Sequence, residues 1–339
     1  MSSPLPKNWL AIRLSALGDL ILTSGPLHYL HETHGWNFHV LTRKGIAPVL
    51  ENHPGIDRLI FPNEHSLKGK EWFRAARELS ERYKGWGLLD LHGTLRSQIL
   101  TTFWKGPVRR YPKFSLTRRV FSRTRLNLLG ERLNRYNVPQ RYALAIEKEA
   151  PSREELRPRI WLTAQEKSFS DSFFTEHGLT ERPVVALHPF ATHPGKQWPI
   201  GHWLTLIRKL DAKGWSCLIL GRSSEPLPAQ ELPENVVDAT NASSLRETCA
   251  LIARSRALVT GDSGPMHMGT ALGVPTIGLF GPTTSHWGFF PSGEHDVVLE
   301  SALHCRPCSL HGGKGCPDSI RCMRDIMPEQ VLTEILRNS

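Results

Sequence analysis

The chain has 339 residues, 40% of them apolar, and 42 Lys and Arg against 32 Asp and Glu, a net charge of +10. That length exceeds what one hydrophobic core usually organises, so two domains are expected, and the apolar content with ten Trp excludes a disordered chain. No apolar run reaches the roughly 18 residues of a membrane span, and Arg13 and Asp19 interrupt the start MSSPLPKNWLAIRLSALGD where a secretory leader needs an apolar core, so the sequence predicts a cytoplasmic protein.

The first half alternates short apolar runs with amphipathic ones. Trp9–Leu14 reads as a strand, SALGD as a turn, and the stretch from about Leu20 to His34 as a helix. Phe38–Thr42 and Arg58–Phe61 follow as strands. Trp72, Phe73, Ala76 and Leu79 give Lys70–Tyr83 a helical spacing. Gly87–Gly93 is the next strand and Thr94 to about Trp104 the next helix. From Lys105 to Arg141 there are eleven Lys and Arg against the single acid Glu131, which matches the excess charge of the whole chain. Such a stretch is either a solvated basic surface or a site for a partner rich in phosphate or carboxylate.

Glu147–Pro183, with Pro151, Pro158 and Pro183, reads as a linker holding one helix, about Ala164–His177. The alternation then restarts: strand Val184–Pro189, helix Gly201–Ala212, strand Ser216–Gly221, helix Ser243–Arg254. The strand of ALVTGD, a helix after Ser263 and the strand of PTIGLFG complete it. The fold class is therefore α/β, two Rossmann-like doubly wound domains facing a cleft, over residues 1–160 and 161–327. In such sheets ligands sit beyond the carboxyl ends of the strands. SALGD, HPFATHPGKQWP, GRSSE and GDSGP all fall there.

Four short segments carry candidate chemistry. In GDSGPMH, Asp262 or Ser263 can cap a helix, Pro265 suits its first turn, and Gly264 lets backbone approach a ligand. Free amides and the helix dipole at such a start bind phosphate, although plain capping explains the same residues. Asp19 in SALGD is either a helix cap or a carboxylate able to take a proton from a hydroxyl. Lys196 in HPGKQWP is placed to reach phosphate oxygens, or is a solvated loop charge. Glu225 in LILGRSSE suits a ribose hydroxyl pair, or is likewise a loop charge. No GxGxxG after a strand and no GxxxxGK[ST] occurs, which disfavours nicotinamide dehydrogenases and P-loop ATPases.

Cys217 and Cys249 are isolated in apolar patterns and read as core residues. Cys305, Cys308, Cys316 and Cys322 form C-x2-C-x7-C-x5-C. Four thiols so spaced fit a structural zinc clamp; free thiols or a redox pair are the other readings.

These motifs, in this order, resemble the lipopolysaccharide heptosyltransferases, glycosyltransferase family 9. RLSALGDLILTSGPLHYL, DLHGTLRS, HPFATHPGKQWPIGHW, LILGRSSE and the block GDSGPMHMGTALGVPTIGLFGPT carry the resemblance, with the tail CRPCSLHGGKGCPDSIRCMRDIMPEQV. Ala16 departs from the family's second Ser, and Phe190-Ala191 from its usual Gly-Ala. The resemblance implies a GT-B fold whose C-terminal helix, residues 328–339, crosses back to the first domain. It implies inverting transfer of heptose from ADP-heptose, without a metal, to Kdo-lipid A or a heptosyl acceptor of the lipopolysaccharide inner core.

By the same resemblance Asp19 is the general base, and Lys196, Glu225, Asp262, Ser263, Gly264 and His267 bind the donor. Arg96 of DLHGTLRS and Arg118 and Arg119 of the basic stretch are the acceptor-binding candidates. The basic stretch would meet lipid A phosphates and Kdo at the cytoplasmic face of an anionic inner membrane, holding the protein there peripherally. The rival readings are an epimerase or transferase using another nucleotide sugar, and an RNA-binding protein. No stacking platform of aromatics supports the RNA reading, so no nucleic-acid partner is expected.

Overall fold

The computed structural model describes residues 5–310, 312, 313, 316 and 319–337. The chain divides into two compact units. One runs to Lys113 and resumes over Val138–Trp161. The other takes Phe114–Asn137 and everything from Leu162.

In the first unit β1 (Asn8–Ile12), α1 (Leu17–His34), β2 (Asn37–Leu41) and β3 (Ile56–Ile60) are followed by α2 (Gly69–Arg82), β4 (Gly87–Asp90), α3 (Leu95–Phe103) and β5 (Val108–Arg110). The strands are all parallel, in the order β3-β2-β1-β4-β5. Trp9, Leu10, Ala11 and Ile12 of β1 are all buried, because a parallel central strand is covered by helices on both faces. The boundaries expected from hydrophobic spacing agree with these elements to within three residues at each end. The three-residue β5 carries no periodicity and was not legible.

After β5 come α4 (Ser115–Thr124) and α5 (Asn127–Asn134), then α6 (Val138–Ala143), which is part of the first unit again. Helices α4 and α5 belong to the second unit because Phe121 and Leu133 pack with Trp287. Phe121 also stacks on His286, ring centroids 5.2 Å apart. A division at residue 160 therefore misses a segment that contributes its apolar anchors elsewhere.

The second unit continues with α7 (Ala164–Glu176), β6 (Val184–His188), α8 (Ile200–Asp211), β7 (Ser216–Ile219), β8 (Val236–Asp238) and α9 (Leu245–Arg254). It closes with β9 (Ala257–Gly261), α10 (Gly264–Leu272), β10 (Thr276–Phe280), β11 (Val297–Glu300), α11 (Arg321–Arg324) and α12 (Pro328–Arg337). Its parallel sheet has the order β11-β10-β9-β6-β7-β8. Helix α7 begins with the capping pair Thr163 and Glu166, and Glu166 also holds Arg246 of α9 at 2.6 Å. That contact keeps the Glu166 carboxyl down at about 2.

Val331 and Ile335 of α12 are buried in the core of the second unit beside α8 and β10. Lys209 of α8 pairs with Glu329 at 3.0 Å. So α12 packs within the second unit. Among the described residues, no helix is long and apolar enough to cross a membrane.

Candidate active site

Each sheet has one point where its order reverses, and the candidate residues gather there. In the first unit the reversal lies between β1 and β4, the position where a crevice opens beyond the strand ends. Arg13 leaves the end of β1 and Asp19 sits in the first turn of α1. Asp19 is not the cap: the N-cap is Ala16, whose N–H donates to Asp19 Oδ2 at 2.9 Å. The other carboxylate oxygen accepts from Arg13 Nη2 at 2.6 Å. Arg13 Nη1 in turn donates to the Leu91 carbonyl, just past β4, at 2.6 Å. One buried guanidinium thus ties both strand ends to the carboxylate. Burial alone would lower the Arg13 pKa; Tyr142 and the Asp19 charge outweigh it and raise it.

Asp90 and His92 line the same strand ends. Asp90 is fully buried. Its Oδ1 accepts the amides of His92 and Gly93 at 3.0 and 2.8 Å, and Oδ2 accepts Arg110 Nε at 2.8 Å. It shapes the turn. His92 is buried and held neutral, its pKa lowered to about 4 by burial and then by the Arg13 charge. Lys113 Nζ donates to the Gly93 carbonyl at 3.1 Å.

In the second unit the reversal lies between β6 and β9. Lys196 follows β6 and Asp262 follows β9, 66 residues apart, yet Lys196 Nζ donates to Asp262 Oδ2 at 2.6 Å and to its carbonyl at 3.1 Å. Thr283, past β10, donates its hydroxyl to the same Oδ2 at 2.7 Å. Ser263 is the N-cap of α10, but its side chain caps nothing; its hydroxyl lies 3.2 Å from that of Thr260. Pro265 has no N–H, and the Met266 amide donates to the Ser263 carbonyl at 3.2 Å. The amides of Ser263 and Gly264 are the ones that the helix leaves over, beside a lysine, at a positive dipole end. Plain capping by the Ser263 side chain is absent here. His188 closes β6, half-buried and neutral, with its pKa lowered to about 4 by desolvation.

The other candidates are placed as follows. His267 is buried on the first turn of α10. Glu225 is exposed after β7, in a loop that Ser223 and Asn241 fix by hydrogen bonds of 2.7 to 3.1 Å. Arg96 is committed to fold support, Nε donating to the Leu67 carbonyl at 2.9 Å. It lies in the first unit, Arg118 and Arg119 in the second. The four tail cysteines are free thiols, and among the described residues no group of three or more His, Cys, Asp or Glu is arranged to hold a metal ion. Burial raises the Cys322 thiol pKa to about 11, and the neighbouring thiols of Cys308, Cys316 and Cys305 add to the rise.

Sequence reading missed Arg13 and Thr283. A signal existed for Arg13, a lone charge closing an apolar strand. None existed for Thr283, whose role depends on β10 lying next to β9.

The family model described as glycosyltransferase family 9 (heptosyltransferase) matches residues 72–313. Lipooligosaccharide heptosyltransferase 2 of Haemophilus influenzae is 29% identical over 303 residues, 83% of this chain and 85% of that protein. Lipopolysaccharide heptosyltransferase 1 of Pseudomonas aeruginosa is 28% identical over 323 residues, 88% of this chain and 85% of that one. The solved ADP-heptose lipopolysaccharide heptosyltransferase II of Escherichia coli superposes with a TM-score of 0.70 at 22% identity, over 98% of both chains, and shares the fold. With two parallel α/β sheets and the family match over residues 72–313, the chain belongs to glycosyltransferase family 9, the heptosyltransferases.

Proposed function

We propose that this glycosyltransferase moves heptose from ADP-heptose to the lipopolysaccharide inner core, onto Kdo-lipid A or a heptosyl acceptor, with inversion. The observation that carries the reading is the Lys196–Asp262 pair at 2.6 Å beside the start of α10 at Ser263 and Gly264. Inversion by direct displacement needs a base on one face of the anomeric carbon and a stabilised leaving group on the other. Asp19 takes the proton of the acceptor hydroxyl. Lys196 and the α10 amides hold the charge that develops on the departing diphosphate, and the scheme uses no metal ion. Glu225 meets the ribose hydroxyls.

A thermal-shift screen against ADP, UDP and GDP tests the donor. A ligand that binds only the folded state raises the melting temperature by mass action. ADP is expected to raise it, and UDP or GDP not. A shift with UDP or GDP instead would overturn the nucleotide, and no shift at all would overturn the donor site.

The outer faces of α4 and α5 support peripheral docking on an anionic membrane. Leu116 and Leu128 are 75% and 76% exposed, with Val120 also exposed, and Arg119, Arg123 and Arg132 lie beside them. On α4, Leu116, Arg119, Val120 and Arg123 share an arc of about 100°, opposite the buried Phe121. Apolar side chains among arginines suit the headgroup boundary of acidic lipid. The protein is expected to sediment with phosphatidylglycerol vesicles and not with phosphatidylcholine vesicles. Leu116→Asn with Leu128→Asn should cut that binding about tenfold. Equal binding to both lipids, or no loss in the double variant, would remove this surface from the reading.

A further inference from the structure

The cysteine-rich tail has no part in the proposed reaction, yet it lies against the loops of the proposed donor site. Arg306 sits between Cys305 and Cys308, and its side chain is 8% exposed. Its Nε donates to the Gly281 carbonyl at 2.5 Å and Nη2 to the Thr283 carbonyl at 2.9 Å. Nη1 donates to the Ser301 carbonyl, and Nη2 also to Glu300 Oε2 at 2.7 Å. The amides of Cys308 and Ser309 both donate to the Pro282 carbonyl, at 3.1 and 3.2 Å. All three carbonyls of the Gly281–Thr283 turn are therefore taken by the tail. The turn presents Thr283 Oγ1 to Asp262 Oδ2, the oxygen that holds Lys196. A little further on, Gly312 adopts a φ of +85°, and a Cβ there would lie 2.7 Å from Lys196 Cε. The tail backbone thus lies flat on the lysine stem, where a side chain does not fit.

We propose that Arg306 is a positioning residue for the donor site. It acts through the Gly281–Thr283 turn on the Asp262–Lys196 pair. A guanidinium is suited to this, because its planar set of fixed donors can hold several carbonyls at once, whereas an ammonium is a single point. The tail then serves the nucleotide diphosphate site whatever the state of its thiols. This inference rests on the donor-site reading above.

The test measures ADP affinity by calorimetry in Arg306→Met and Thr283→Val, each also combined with Lys196→Ala. Thr283→Val is close to isosteric and removes only the hydroxyl that reaches Asp262, so it carries the test if Arg306→Met does not fold. Each variant is expected to weaken ADP binding about tenfold when Lys196 is present, the equivalent of one charge-assisted hydrogen bond. In the Lys196→Ala background the further loss should stay below about twofold, because residues that act through one another do not add. Unchanged affinity in Thr283→Val, or equal losses in both backgrounds, would overturn the proposal. Unchanged affinity in Lys196→Ala alone would instead overturn the donor-site reading.

Discussion

Replacing Asp19 by Asn is expected to cut heptosyl transfer by about 10²–10⁴-fold while ADP affinity stays within a factor of two, because a general base contributes on that scale and the proposed donor site lies in the second unit. Geometry sharpens the expectation. Both Asp19 oxygens are occupied, one by Arg13 Nη2 at 2.6 Å and one by the Ala16 amide at 2.9 Å. An Asn can satisfy only one of these donors with its oxygen; its own NH2 then faces the other. The variant should therefore also lose about 1–3 kcal/mol of stability, the cost of a buried donor left unmatched. A melting curve read beside the rate separates the two effects. Full-length protein that melts a few degrees lower, still binds ADP and no longer transfers sugar supports the base. Transfer within about tenfold of the parent chain would remove Asp19 from that role, since a general base is worth at least about a hundredfold.

That expectation shows where sequence was enough. Strand and helix positions follow from apolar spacing, and SALGD and GDSGP were recognisable because short polar segments closing apolar strands must lie at the carboxyl edge of a parallel sheet. The partners of those residues were not recognisable. Arg13 meets the Leu91 carbonyl 78 residues away, and Lys196 meets Asp262 66 residues away. Both contacts exist only because β1 lies next to β4 and β6 next to β9, an order no local pattern encodes. The Cys spacing hid a different contact. Four thiols close in sequence drew attention to a metal clamp, and the contacts of the same segment to the Gly281–Thr283 turn, made by backbone amides and Arg306, left no mark in the spacing. Helices α4 and α5 were hidden because their arginines dominate the composition, while the three aromatic and aliphatic contacts that place them are scattered from Phe121 to Trp287.

Lys196→Ala is expected to weaken donor binding by about 10²-fold and to lower kcat as well, since a strong donor to developing charge is worth about 3–4 kcal/mol and acts most in the transition state. The pairing with Asp262 makes this loss larger than that of a loop cation. Asp262 is 13% exposed and keeps only Thr283 as a side-chain donor once the lysine is gone. Its uncompensated charge would then face an incoming diphosphate, and like charges at close range repel. Two further variants divide the effect. Lys196→Arg keeps the cation and should retain more binding than Lys196→Ala. Adding Asp262→Asn to Lys196→Ala removes the repulsion and should recover part of the affinity, about tenfold if one unit of unscreened charge is responsible. No recovery would mean that Asp262 positions the lysine and adds no field of its own. An ADP affinity unmoved by Lys196→Ala would reduce Lys196 to a structural partner of Asp262 and overturn the donor-site reading.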